Sequence, residues 1–225
     1  MRPLGTALVL VLCASLAACG EKTKTTAPDA DACAGKGTVV AQADLDGSGS
    51  TRKVRLTGSG SGPCADQLLG PAGESADVSG LDLVPAEAKV VHLTGDDAVD
   101  LVLLSGKPHP RGGAQVHLFG LGGRTGLTEL TADGQPLVPF LATDGGAAPM
   151  TATCTDDGGV GVVTAKAHEP PGVVLAWDVT QTSYAVEDGR AVPRGRSSVA
   201  EAAADPLLRK EKPELFDGSM FADCT

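Results

Sequence analysis

Residues 94–119, TGDDAVDLVLLSGKPHPRGGAQVHLF, and 153–178, TCTDDGGVGVVTAKAHEPPGVVLAWD, lie on one another without a gap. The overlay pairs Asp97 with Asp156, Leu103 with Val162, Lys107 with Lys166, His109 with His168 and Gly113 with Gly172. Each copy reads as an apolar strand, a Pro-containing loop carrying Lys-x-His, and a second strand. A third stretch, 46–56, matches 93–103 at an offset of about 47 residues, the period of a propeller blade. Reuse of one strand-turn-strand unit at that spacing points to a real duplication of blade-sized units.

The rest of the chain agrees with that reading. Thr38 to Ala41, Lys53 to Leu56, Lys89 to Leu93 and Gln115 to Phe119 are short Val/Leu-rich runs between Gly, Pro and Asp-Gly punctuation. So are Gly161 to Ala165, Val173 to Trp177 and Thr182 to Val186. Val99 to Leu104 is apolar on both alternating faces, the pattern of a strand covered on both sides. Ala- and Glu-rich Ser198 to Leu208 has helical propensity, with Ser197 or Ser198 as N-cap and Pro206 as an interruption. The expected fold is all-β and mainly antiparallel, with propeller-like repeats and a short C-terminal helical segment. About three blade-sized units fit, fewer than a closed propeller uses, which leaves an incomplete propeller or a sandwich.

The N-terminus carries a different message. Arg2 precedes an apolar run, Leu4 to Leu16, which ends in Ala17-Ala18-Cys19. The run is shorter than the ~20 apolar residues of a comfortable membrane span, and its flanks are those of a cleaved signal. Small residues before a cysteine are what lipoprotein processing reads. Residues 1–18 are expected to be removed and Cys19 to carry diacylglycerol, and two acyl chains hold a protein stably on a bilayer. Polar, aperiodic 19–32 reads as a tether, and 33–225 as the β-rich extracytoplasmic domain. The chain lacks Ile and Asn while Ala, Gly, Val, Asp and Arg abound, a high-GC codon signature. Gly20 stands where Gram-negative inner-membrane lipoproteins carry Asp. Together they point to the outer face of an actinobacterial plasma membrane.

Export makes disulfides the expected state of Cys33, Cys64, Cys154 and Cys224. Four cysteines allow three connectivities, and local pairing (Cys33 with Cys64, Cys154 with Cys224) is predicted. None has zinc-ligand spacing. A net charge of −10 excludes nucleic acid and whole-surface adhesion to anionic lipid. Aromatic residues are 3% of the chain, so platforms for stacking sugars or bases are scarce.

Ala43-Asp44-Leu45-Asp46-Gly47-Ser48-Gly49, followed by Val54-Arg55-Leu56, resembles the FG-GAP or VCBS repeat, as does Gly95 to Leu103. The resemblance implies propeller blades whose Asp-x-Asp-Gly-x-Gly loop holds calcium, here with Asp44, Asp46, Asp96, Asp97 and Asp100. Two departures stand against calcium: Ser48 and Ser50 follow the aspartates, and Lys53 takes the position matching Asp100. The alternative is an Asp-Gly hairpin turn bonded side chain to backbone. The mature chain also resembles small uncharacterised Streptomyces-type lipoproteins, through 109–113, 136–140, 167–172 and 220–224. That likeness implies location and fold and no reaction.

His109 and His168 hold equivalent loop positions. If the loops meet, two imidazoles with Asp96, Asp97, Asp156 or Asp157 form a transition-metal site. The plain alternative is that each His braces its loop. His92 and His117 fall in strands and are expected to be hydrogen-bonded there. There is no Gly-x-Ser-x-Gly elbow, and Gly120 to Gly126 lacks the Lys-Ser/Thr of a phosphate loop and reads as a hairpin turn. The functional expectation is a membrane-anchored binding module for an envelope protein or glycan. The alternatives are a metal-binding envelope protein, then a hydrolase.

Overall fold

The computed structural model describes residues 30–85, 88–95, 98–108, 113–123, 126–138, 148–169 and 174–224. A short helix, α1 (Ala30–Cys33), opens them. It takes in Ala30 to Ala32, the end of the segment read above as a tether. Sheet I is the meander β1 (Thr38–Ala43), β2 (Arg52–Leu56), β3 (Gln67–Leu69), β4 (Ser75–Asp77). Sheet II is β5 (Lys89–His92), β6 (Asp100–Pro108), β7 (Ala114–Gly122), β8 (Gly126–Glu129). A small hairpin comes next, β9 (Thr131–Ala132) with β10 (Gln135–Pro136). Sheet III is β11 (Met150–Cys154), β12 (Val160–Ala167), β13 (Ala176–Glu187), β14 (Arg190–Ala204). All pairings within these sheets are antiparallel, so the fold is all-β.

The stretches that matched in sequence hold the same place in each sheet. Residues 46–56 end in β2, 94–119 contain β6, and 153–178 contain β12, each the second strand of its meander.

β6 shows how the sheets are layered. Leu101 and Leu103 face one way, into a core shared with Val116 and Leu118 of β7 and with Ala152, Val160 and Val162 of sheet III. Val102 and Leu104 face the other way, into a core with Ala41, Ala43, Val54, Leu56 and Leu68 of sheet I. None of the four is more than 4% exposed. Each such side chain contributes about 1.5–3 kcal/mol of burial. Sheets I and III thus cover opposite faces of sheet II, as the two-faced apolar pattern of Val99 to Leu104 predicted.

The outer face of sheet III is closed by the C-terminal segment. Ala165 and Val179 pack beneath Leu208 of α2 (Asp205–Glu211) and beneath Leu215 and Phe216 at a 3-10 turn (Pro213–Leu215). Trp177 Nε1 donates to Asp205 Oδ1 at 2.8 Å, and Arg209 lies 4.1 Å over the Phe216 ring. Beyond the turn, Phe221 N–H donates to Ala152 O and His92 N–H to Cys224 O. The last residues therefore run along the open edges of β11 and β5, satisfying one acceptor and one donor that an exposed edge would leave unpaired. Disulfides join Cys33 to Cys64 and Cys154 to Cys224, the predicted pairing.

Two expectations are corrected. Helix was expected over Ser198 to Leu208, but residues through Ala204 belong to β14, paired with β13 along its length with three register shifts. Ala and Glu favour helix by only tenths of a kcal/mol per residue, and a partner strand outweighs that. Pro206 does not interrupt the helix; it stands in the first turn of α2, where its missing N–H costs nothing. Val173 to Trp177 and Thr182 to Val186 were expected as two strands; of the first run's described residues only Ala176 and Trp177 are in a strand, and they share the single strand β13 with Thr182 to Val186.

Candidate binding surface at the Asp-rich turns

Three meanders with matching strand order put equivalent turns at one end of the stack. The β1–β2 turn starts at Asp44, the β5–β6 turn contains Thr94 and Gly95, and the β11–β12 turn spans Thr155 to Gly159. They touch in sequence. A Cβ on Gly47 would lie 3.1 Å from Ala98 O, and one on Gly158 would lie 2.2 Å from Thr94 O. Gly158 also has φ +81°, so both its space and its backbone demand glycine. Thr94 Oγ1 donates to Thr155 O at 3.3 Å. At the same end, Asp188 and Gly189, both at positive φ, form the two-residue turn between β13 and β14, the Asp-Gly type I′ hairpin chemistry. Gly189 sits against Gly122 at the β7–β8 turn, so sheets II and III close together there.

Between these turns is a cleft of about 310 Å³ to which all three sheets contribute. Sheet I supplies Leu45 and Asp46, sheet II Val99, Leu101 and Leu121, and sheet III Val186 and Asp188. The floor is aliphatic and two carboxylates stand at the rim. Concave apolar surface with a few convergent polar groups is the usual form of a ligand site.

The aspartates singled out in the sequence are already engaged. Asp44 Oδ1 accepts Ser48 N–H at 3.0 Å and Oδ2 accepts Gly49 N–H. Its own N–H donates to Asp100 Oδ2 at 2.6 Å, and Asp100 N–H returns a bond to Asp44 O at 2.9 Å. This reciprocal pair ties sheet I to sheet II. Asp46 accepts Ser48 N–H and pairs with the Arg52 guanidinium. The Ser48 hydroxyl first, and Arg52 second, hold its carboxyl down at about 2. These are the bonds of a side-chain-to-backbone turn: N–H donors and a guanidinium occupy oxygens that a cation would need. Among the described residues no three His, Cys, Asp or Glu side chains are grouped to hold a metal. Asp96, Asp97, His109 and Cys19 lie outside the described residues.

The three described histidines obey one rule. His92 Nδ1 lies 2.7 Å from Asp100 Oδ1, His117 Nδ1 2.7 Å from Glu129 Oε1, and His168 Nδ1 2.8 Å from Asp178 Oδ1. An ionised carboxylate only accepts, so each contact puts the proton on Nδ1. Asp178 also accepts Ala202 N–H at 3.0 Å, and that bond first, with His168 second, keeps its pKa low. His168 is not brought together with Asp156 or Asp157, its conditional partners in a transition-metal site. Those residues occupy the turn before β12 and His168 follows its far end, about 26 Å away for eight strand residues. Cross-strand register, not sequence proximity, supplies the partners. His92 stands directly opposite Asp100 in the β5–β6 ladder, which a hairpin centred near residue 96 would have revealed. Among the described residues no serine or thiol donates to these imidazoles, and all four described cysteines are paired.

Compared with protein families, with curated proteins and with solved structures, the chain finds no match.

Proposed function

We propose that this protein is a lipid-anchored extracytoplasmic binding module, held to the membrane through Cys19 and presenting the cleft at its Asp-rich turns to a protein of the cell envelope. The observation that carries the reading is the cleft itself: three sheets contribute to one concave aliphatic floor, at the end where their turns lock together. Two disulfides accord with an oxidising compartment. No helix among the described residues is long and apolar enough to cross a membrane. A protein partner suits the lining better than a glycan. No aromatic ring lines the cleft, and Trp177 is bonded to Asp205 beneath α2. Sugar recognition draws on such rings; an aliphatic side chain of a partner needs only the floor.

The test is a photo-reactive residue placed at position 188 in intact cells, with another at exposed Glu211 on α2 as control. A discrete protein adduct from 188, absent at 211 and lost with Val186→Arg, is the expected result. Equal adduct patterns at both positions would remove the cleft from consideration. The anchor is read separately, by the mass of the N-terminal peptide and by release of Cys19→Ala chain into the medium.

A further inference from the structure

The outer face of sheet I carries a local cluster of cations on β2. Inward-facing Val54 and Leu56 of β2 enter the core, so Lys53 and Arg55 point out. They open onto a cleft of about 390 Å³, with Arg52 at one side, Leu69 in its floor and Glu74 as its one acid. Ala34 and Gly35, just after α1, form its lip. Lys36 comes directly after and has no carboxylate partner among the described residues; its ammonium lies 3.7 Å from Cys64 Sγ. Arg55 donates to Gly37 O at 3.1 Å, which fixes its guanidinium at the lip. Lys53 makes no ion pair among the described residues. Glu74 accepts Ala72 N–H at 2.9 Å within its own turn. In a chain of net charge −10, Arg52, Lys53 and Arg55 line the groove and Lys36 stands just beyond its lip. Arg52 is already paired with Asp46, which leaves Lys36, Lys53 and Arg55 against one lining carboxylate, Glu74.

The groove lies where the chain enters the domain. From Cys19 to Ala30 the chain spans at most about 40 Å even fully extended. That is about the diameter of a domain of this size. The surface nearest the root therefore meets the bilayer first, and anionic headgroups are the densest phosphate source within reach. We infer that the basic groove on the outer face of sheet I docks on anionic lipid headgroups, with Lys36, Lys53 and Arg55 taking their phosphates. The domain then stands with sheet I toward the membrane and its net negative charge carried by the sides turned away. This rests on the lipid-anchor reading of Cys19. It also places docking in one patch, where the overall charge had spoken against adhesion.

The test uses the full chain in vesicles of phosphatidylcholine alone, or with about one third phosphatidylglycerol, and measures amine acetylation lysine by lysine. Lys36 and Lys53 are expected to label about fivefold more slowly in the anionic vesicles, the factor one surface cation supplies. Lys210 and Lys212 should not change, and about 1 M salt, with a Debye length of ~3 Å, should abolish the protection. Arg55→Glu should restore Lys53 labelling, and Arg55→Gln should do so in part. Equal Lys53 labelling in both vesicle types overturns the inference, as does equal slowing of all four lysines. If the chain does not float with either vesicle, the anchor reading fails. The groove is then judged by adding the same vesicles to unanchored chain: selective Lys53 protection upholds it, and none overturns it.

Discussion

On the outer face of sheet III, Ala165 and Val179 lie beneath Leu208, Leu215 and Phe216; on the outer face of sheet I, Lys53 and Arg55 stand over an open groove. Both sheets pack their inner faces on sheet II, and both are stitched by a disulfide. The difference lies in the segments that flank each sheet along the chain. Sheet III leads into α2 and the tail, which bring apolar side chains back over it. Sheet I is preceded by a single turn of helix, which covers only its margin. One outer face is finished by packing, and the other keeps polar groups that packing would have displaced. That contrast puts a packed, covered face on one side of the molecule and an open polar face on the other.

The largest effect that would sharpen this contrast comes from the disulfides. Chain-entropy arguments give about 4.4 kcal/mol for the longer Cys154–Cys224 loop and about 3.7 kcal/mol for Cys33–Cys64. Cys154→Ser/Cys224→Ser should cost more than that gap implies, since it also frees Phe221, which is 1% exposed. Denaturant titration of the two double variants reads it directly, and equal losses would dissolve the proposed asymmetry. Next come single side chains. Leu215→Ala should cost about 2–5 kcal/mol, whereas Lys53→Ala should stay within about 0.5 kcal/mol.

These effects arise from parts of the fold that differ in how far the sequence shows them. The layering was legible, because Val99 to Leu104 is apolar at every second position on both faces. The Asp188-Gly189 turn was legible too, since that dipeptide accepts positive φ twice. The covering of sheet III was not. Ala and Glu at 200–204 speak for helix locally, and only the distant partner β13 turns them into strand. The histidine partners were hidden for the same reason: Asp178 becomes a neighbour of His168 through register alone. The cleft at the turns draws on Leu45, Leu121 and Val186, which no local pattern connects.

Smaller effects concern protonation. Asp205, the first residue of α2, has its pKa lowered by the Trp177 N–H first and by Arg209 after it. A lowered carboxylate stabilises the fold above its unfolded pKa, and that contribution is lost as pH falls through the folded value. Trp177→Phe should therefore raise the Asp205 pKa, seen by NMR, and flatten the acid limb of the stability curve. Asp46, at the sheet I turn, titrates at about 2. Arg52→Gln should raise it with little change in stability, because the pair is solvent-screened. Smallest of all is the expected response to metal. With the Asp44 and Asp46 carboxylates held by N–H donors and Arg52, EDTA or calcium should leave the melting temperature where it was. A calcium-dependent rise would restore the loop as a cation site.

The division of labour between the two surfaces is open to one paired measurement. A photo-reactive residue at position 53, in the groove of sheet I, and another at 188, at the cleft rim, are cross-linked in intact cells and their adducts identified by mass. Phospholipid on position 53 and protein on position 188 is the predicted result. Protein on 53 with lipid on 188, or the same adduct at both, would contradict it.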